Sequence, residues 1–486
     1  MISLRNSATK SKMISLGVML AALMASLLLT IQPAHASATF TVTNTNDSGA
    51  GSLRQAINDA NTAPGADIIS FNIPGSDVHT IAPLSALPKI TEAVTINGYS
   101  QPEAQPNTKA VGSDAVLKIQ LSGANAGTAE GLWIGAANST VKGLVINLWD
   151  TGIRIEGSAS TGNRITGNFI GTDSSGTQDF GNSDGGVYLA APNNTLGGAT
   201  AAERNVISAN EDEGVHVDGS DGNRVMGNYI GTDASGTKDL GNAEQGVFVG
   251  SAPNTTIGGT TAGERNVISA NDEDGVILFD AAANNKVAGN YIGTDKNGTA
   301  PLGNTGDGVH ITNAPNNTVG GTTTAARNII SGNHGSGVGI EGPAATGNRV
   351  LSNSIFANGL LSIDLGVDGP TANDPGDGDA GPNYLQNFPV LSSAKKNAAG
   401  TTTVRGKLNS TPNSTFRLQF FSNPKGTDEG KTLLGSQLVS TDGSGDASFA
   451  FATKKPVRLG QNITATATGP GGNTSEFSVP KQVVAS

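Results

Sequence analysis

The triplet Asn-x-Ile recurs seven times between Asn168 and Asn353, as Asn168–Ile170, Asn205–Ile207, Asn228–Ile230, Asn266–Ile268, Asn290–Ile292, Asn328–Ile330 and Asn353–Ile355. The steps between copies alternate 37, 23, 38, 24, 38 and 25 residues. A period of this kind means stacked units, none of which can bury its apolar side alone. The ladder therefore constrains the architecture before any chemistry is considered.

From about Gly131 each repeat carries two further short strands. The first has an apolar-x-apolar pattern: Ile153–Ile155, Val187–Leu189, Val215–Val217, Val247–Val249, Val276–Leu278, Val309–Ile311 and Val338–Ile340. The second centres on Ile165, Leu196, Val225, Ile257, Val287, Val319 and Val350, and the Asn-x-Ile ladder is the third. Period-two alternation turns the flanking apolar residues inward and the central residue outward. Three strands in a coil of roughly 23 residues, stacked about 4.8 Å apart, predict an all-β chain wound as a parallel β-helix of about ten coils. Parallel stacking sets each Asn beside the next, so their amides can bond in a continuous ladder.

The flanks differ from the repeat. In FTVTNTNDSGAGSLRQAINDAN (40–61), Ser52 and Gln55 have capping-box spacing, and Leu53, Ala56, Ile57 and Ala60 fall on one helical face. A short strand followed by an amphipathic helix would cover the open first coil. Irregular early coils follow, with strands at Ile68–Phe71, Val94–Ile96 and Leu117–Leu121. After Pro389 the period stops. Alternation at Val404–Leu408, Phe416–Phe421, Ala447–Phe451 and Ile463–Thr468 predicts five to seven strands in a small antiparallel, immunoglobulin-like β-sandwich. Such a domain can cap the last coil, bind a partner, or do both. The expected segments are 1–36, 37–130, 131–385 and 386–486.

Residues 1–36 read as a secretory signal peptide: Arg5, Lys10 and Lys12, an apolar run from Met13 to Ile31, then Ala34-His35-Ala36. A retained membrane anchor is the alternative, against which the small-x-small site argues. Cleavage after Ala36 would leave 26 Lys and Arg against 40 Asp and Glu, a net charge of −14. That excess disfavours nucleic acid and anionic lipid as partners. No cysteine is present, so neither disulfides nor a lipidated cysteine can serve this chain.

The helical start, the coil pattern and the loop IDLGVDGPTANDPGDGDAGPNYLQNFPVL (363–391) together resemble bacterial secreted right-handed β-helix repeat proteins. These are distant architectural relatives of the pectate lyases. The resemblance covers nearly all of residues 38–390 and implies the fold, while one such scaffold hosts lyases, hydrolases, adhesins and non-catalytic binders. It also implies that a saccharide groove would run along one parallel sheet, bordered by the loops leading into it.

Two insertions recur. GTDSSGTQDFGN (171–182) returns at 231–242 and 293–304, and GGATAAERN (197–205) returns at 258–266 and 320–328. Near-identical copies point to loop architecture, with Gly supplying positive φ and Thr and Asp bonding the local backbone. The outward positions of the first strand differ from coil to coil: Arg154, Tyr188, His216, Phe248, Ile277, His310 and Gly339. Acids precede these strands at Asp184, Glu211-Asp212-Glu213, Glu244, Asp272-Glu273-Asp274 and Asp307. Rings beside carboxylates can stack sugar faces and bond hydroxyls. The same pattern also describes a solvated sheet face with acidic turns. Arg154, Tyr188, His216, Phe248 and His310, with Asp184, Asp212, Glu244, Asp274 and Asp307, form the candidate ligand-binding stripe.

A catalytic set is not legible. A glycosidase needs two carboxylates across the bond, and a lyase needs an acidity-raising group with a base. Acids at one-coil spacing abound, and Arg154 is the one strong base on the stripe. The polygalacturonase motifs are absent. Trp133 and Trp149 read as packing or cap contacts. Near the end of the repeat, Asp368, Asn373, Asp374, Asp377 and Asp379 crowd a Gly- and Pro-rich loop. Such oxygens suit Ca²⁺ in a domain-joining role, through Asp368, Asp374, Asp377 and Asp379, although the spacing is not that of an EF-hand and a polar linker would read alike. The expected role is non-catalytic recognition of extracellular polysaccharide or other glycan by a secreted or cell-surface protein. A polysaccharide lyase or glycoside hydrolase on the same stripe and a structural spacer are the alternatives. Nothing in the sequence fixes an oligomeric state.

Overall fold

A computed structural model describes residues 37–486; the signal peptide expected at 1–36 lies outside them. Three parallel sheets account for most of the chain. Sheet A has 11 strands, from Thr39–Val42 to Arg349–Leu351; sheet B has 10, from His79–Ile81 to Ser354–Phe356; sheet C has nine, from Leu132–Ile134 to Ile363–Leu365. Every regular coil passes through C, then A, then B, which is a parallel β-helix with the right-handed winding that strand crossovers favour. Register does not drift: Val187, Tyr188 and Leu189 pair with Val215, His216 and Val217, and these with Val247, Phe248 and Val249.

The alternation read from the sequence makes the core. Ile170, Ile207, Ile230, Ile268, Ile292 and Ile330 are fully buried, as are Val217, Val249, Leu278 and Ile311. The Asn ladder is continuous. Asn168 Nδ2 donates to Asn205 Oδ1 at 3.2 Å, Asn205 to Asn228 at 2.8 Å, Asn228 to Asn266 at 3.2 Å, and so on to Asn353. Each amide also donates to a carbonyl of sheet A, as Asn228 does to Leu196 at 3.0 Å. Two further ladders line the other corners. Asn182, Asn210, Asn242, Asn271, Asn304 and Asn333 are joined side chain to side chain at 2.7–2.8 Å. At the third corner each Asn oxygen accepts a backbone N–H of the preceding coil, from Asn163 to Asn348. Thr255 takes the Asn position once in that row.

The helix spans Leu53–Thr62 and buries Leu53, Ala56, Ile57 and Ala60 against the first coil. Only half of the expected capping box forms. Ser52 Oγ accepts the Gln55 N–H at 3.2 Å, but the Gln55 amide turns to Asp59 at 2.7 Å instead of reaching back.

The GTD loops do not border the stripe. Their tips fold over the outer face of sheet B, where Ala234 N donates to Gly176 O at 2.8 Å and Lys296 N to Gly236 O at 2.9 Å. Beneath them Phe169, Val206, Tyr229 and Val267 form a second apolar cluster outside the coil. Asp173 Oδ1 accepts the N–H groups of Thr177 and Gln178 at 2.9 and 3.1 Å, a pattern Asp233 and Asp295 repeat. Arg204 lies 4.6 Å over Tyr229 and donates to the carbonyls of Lys109, Ala110 and Gly112. These Asp and Arg residues are scaffold.

Residues 390–485 form seven strands in one continuous hydrogen-bonded order around their own core of Val404, Phe416, Leu418, Phe420, Phe449 and Ile463. Their pairing is antiparallel except between Val390–Lys396 and Lys481–Ala485, which run parallel. This departs from the all-antiparallel expectation, because the last strand inserts between the first strand of the sheet and Asn462–Thr468.

Candidate functional site

The outward positions of sheet C stand in one row because the register is fixed. Arg154 is held by Glu156 at 3.0 Å and Glu130 at 3.3 Å, and its guanidinium lies 4.4 Å from the centre of the Tyr188 ring. Tyr188 donates its hydroxyl to Asp218 at 2.9 Å. Burial, and then Asp218, push its pKa to about 12. The row continues ring to ring: Tyr188 to His216 at 5.1 Å and 64°, His216 to Phe248 at 4.6 Å and 53°, and Phe248 to Phe279 at 5.9 Å and 36°. Ile277 interrupts the aromatic column, and Phe279 at the end of the same strand takes its place.

The rings thus spend much of their faces on one another, in the tilted geometries aromatic pairs favour. The row offers solvent ring edges, a hydroxyl and charged groups more than a series of free flat faces. Trp133 extends it at the other end. It pairs in register with Arg154, is 37% exposed, and carries Lys89 4.4 Å over its ring. The sequence already held that signal, since Leu132-Trp133-Ile134 follows the apolar-x-apolar rule. Trp149, by contrast, is buried and donates Nε1–H to Leu121 O at 3.0 Å.

The acids gather along one side of the row. Thr151 donates to Asp184 at 2.9 Å. Asp212, Glu213 and Glu244 bring one oxygen each within 4.8 Å of one another. Together with Thr151, Arg154, Tyr188 and His216 they enclose a cleft of about 290 Å³. Burial, the Glu213 charge and a hydrogen bond with Glu244 push the Asp212 carboxyl up to about 8. Glu213 goes the other way: burial alone would raise it, but His216, whose Nδ1 lies 3.3 Å from its Oε1, holds it low. A proton-bearing carboxyl thus stands beside an ionised one. Glu213, only 8% exposed, is the residue of the Glu211-Asp212-Glu213 run that the period alone does not single out.

Three coils further along, Asp274, Asp307 and His310 form a second group, also within 4.8 Å of one another. Asp274 Oδ1 accepts the Asp307 N–H at 2.6 Å, and Asp307 Oδ1 accepts the Ser336 N–H at 2.5 Å. Burial and the Asp274 charge push Asp307 up to about 6.

The acidic loop before the C-terminal sheet only partly gathers as expected. Asp374, Asp377 and Asp379 bring oxygens within 4.8 Å of one another, a group that could hold a metal ion. Asp368 does not belong to it. It sits beside Gly366 and Asp364 at the end of sheet C. Asp377 is already engaged, accepting from Asn387 N at 2.7 Å, Gln386 Nε2 at 2.7 Å and Ser410 Oγ at 2.6 Å. Those bonds tie the loop to the segment leading into the first strand of the sheet and to the end of its second.

No protein-family model and no curated protein matches this chain. Solved structures do resemble it in part. The mannuronan C-5 epimerase AlgE4 A-module of Azotobacter vinelandii is 13% identical over 61% of this chain and 72% of its own, with a TM-score of 0.36. ORF18 of Geobacillus virus E2 is 10% identical over 92% and 77%, with a TM-score of 0.39. The enzymatically active domain of tailspike protein 2 from bacteriophage CBA120 is 11% identical over 92% and 71%, with a TM-score of 0.32. Among the described residues no helix is long and apolar enough to cross a membrane.

Proposed function

We propose that the outer face of sheet C recognises an extracellular glycan, of the uncharged or amino-bearing kind. The observation that carries this reading is the cleft of about 290 Å³ where Asp184, Asp212 and Glu244 face the Arg154–Tyr188–His216 row. Carboxylates accept hydrogen bonds from sugar hydroxyls and pair with ammonium groups, while ring edges supply apolar contact. A polyuronate would meet like charge here, and the excess of 40 acids over 29 bases adds to the repulsion.

The test is retention of the full chain in gels cast with uncharged, amino-bearing or uronate polysaccharides. Tyr188→Ala combined with Phe248→Ala should weaken retention by about tenfold or more, since such side chains act as binding anchors. Circular dichroism should stay unchanged. Equal retention by the double variant would remove the row from consideration.

One observation favours an enzymatic reading beside it. Asp212 keeps its proton near neutrality next to ionised Glu213, an arrangement suited to general acid–base work. The result that would favour the enzyme is new reducing ends or unsaturated products from a polysaccharide, abolished by Asp212→Asn. Absence of product across the panel, with retention intact, would leave recognition as the function.

A further inference from the structure

We propose that Asp274, Asp307 and His310 bind a first-row divalent cation of the zinc and manganese class, with Asp364, two strands beyond His310, as a nearby third carboxylate. These residues share the face of sheet C but lie three strands beyond His216, outside the cleft that carries the glycan reading.

Three observations point to an ion. His310 Nδ1 is 3.3 Å from Asp274 Oδ2 and 3.7 Å from Asp307 Oδ2. Donor atoms bound at about 2.1 Å to one ion stand about 3.0–3.4 Å apart, so the group needs only a small contraction. Next, Asp307 is 5% exposed and Asp364 3% exposed, yet Asp307 Oδ2 and Asp364 Oδ1 have no hydrogen-bond partner among the described residues. A buried carboxylate oxygen left so is costly unless a cation faces it. Finally, His310 Nε2 has no hydrogen-bond partner among the described residues but lies at ion-pair distance, 3.4 Å, from Glu341 Oε1, to which Thr312 donates at 3.2 Å. A carboxylate on the far nitrogen is how metal-binding imidazoles are oriented.

The backbone makes room for this arrangement. Gly339 follows His310 in the row, and a Cβ there would come within 2.2 Å of Asp307 Oδ2. Any side chain at this position would displace the carboxylate. The imidazole selects the class of ion, since Ca²⁺ and Mg²⁺ take oxygen donors whereas Zn²⁺ and Mn²⁺ accept the mixed set. The competing explanation is an imidazolium that neutralises its neighbours with no metal present.

The experiment is calorimetric titration of the EDTA-stripped, desalted full chain with ZnCl₂, repeated with MnCl₂ by electron paramagnetic resonance. One saturable site is expected. His310→Ala and Asp307→Asn should abolish it, and Glu341→Gln should weaken it about 10–100-fold by loosening the imidazole. Asp374→Asn, in the other acidic group, should leave it unchanged. If Asp307→Asn does not fold, Gly339→Ala reports on the same oxygen and should also weaken binding. Absence of a saturable site would overturn the proposal in favour of the imidazolium. So would a site lost in Asp374→Asn but kept in His310→Ala.

Discussion

Asp212 couples the cleft to pH. Its carboxyl keeps a proton up to about 8, against an ordinary 3.8, because burial and the Glu213 charge penalise ionisation. Between those values the folded chain holds a proton that the unfolded chain releases, so stability falls as pH rises through the window. Thermal midpoints measured from pH 5 to pH 9 should therefore decline in the native protein and decline less in Asp212→Asn. An equal decline in both would mean that Asp212 ionises normally. The row itself was legible, since period-two alternation gave Arg154, Tyr188, His216, Phe248 and His310 their outward places. What alternation cannot give is how neighbours at one-coil spacing use one another. That is why the mutual stacking of the rings, the burial of Glu213 and the pairing of Glu341 with His310 emerge only in three dimensions.

At the scale of the coil, the corners carry as much weight as the strands. The strands of sheet B are mostly two or three residues long, too short to define a turn, and the Asn side chains supply the missing backbone partners. Asn228 donates to Leu196 O at 3.0 Å and Asn266 Oδ1 at 3.2 Å, and accepts from the Asn205 amide at 2.8 Å. Asn228→Leu should cost about 2–5 kcal/mol, because several buried polar groups lose partners together. A urea midpoint within error of the native value would show the ladder to be dispensable. Ile230→Asp, which buries an unpaired charge two residues along the same triplet, should prevent folding or cost about 3–5 kcal/mol. The first ladder was readable because Asn-x-Ile keeps one frame. The other two were hidden because no constant residue follows their Asn, although their steps are more even, as in the 32 from Asn210 to Asn242. The loop insertions were readable as scaffold from their repetition, but their side of the helix was not. Phe169, Tyr229 and Tyr291 draw the loop tips over sheet B, and no local motif announces that.

Over the whole described body, both ends of the helix are closed, and the far end is closed by polar groups as well as apolar ones. The last coil would present unpaired N–H groups to solvent or to another chain. The C-terminal sheet meets them. Thr474 Oγ1 accepts from Val350 N at 3.0 Å, Gln419 Oε1 from Ser352 N at 3.0 Å, and Gly430 exchanges two backbone bonds with Ile355 at 3.1 and 2.9 Å. Glu476, 4% exposed, accepts from Leu365 N at 3.1 Å and Thr371 N at 3.0 Å, and Phe477 packs against the core of the helix. Contacts this interlocked make the sheet a cap, which repeat architectures require at their ends. A chain ending at residue 385 should then aggregate, since the edges of Arg349–Leu351 and Ser354–Phe356 become free templates for pairing. Glu476→Ala is the milder probe. It leaves the buried Leu365 N–H without an acceptor, at about 1–3 kcal/mol, and the half-buried Thr371 N–H at less, and should lower the denaturant midpoint while keeping one cooperative transition. Separation into two transitions in that variant would locate the coupling between helix and sheet at Glu476. Two transitions already in the native protein would mean that the sheet folds on its own and closes the helix only by contact.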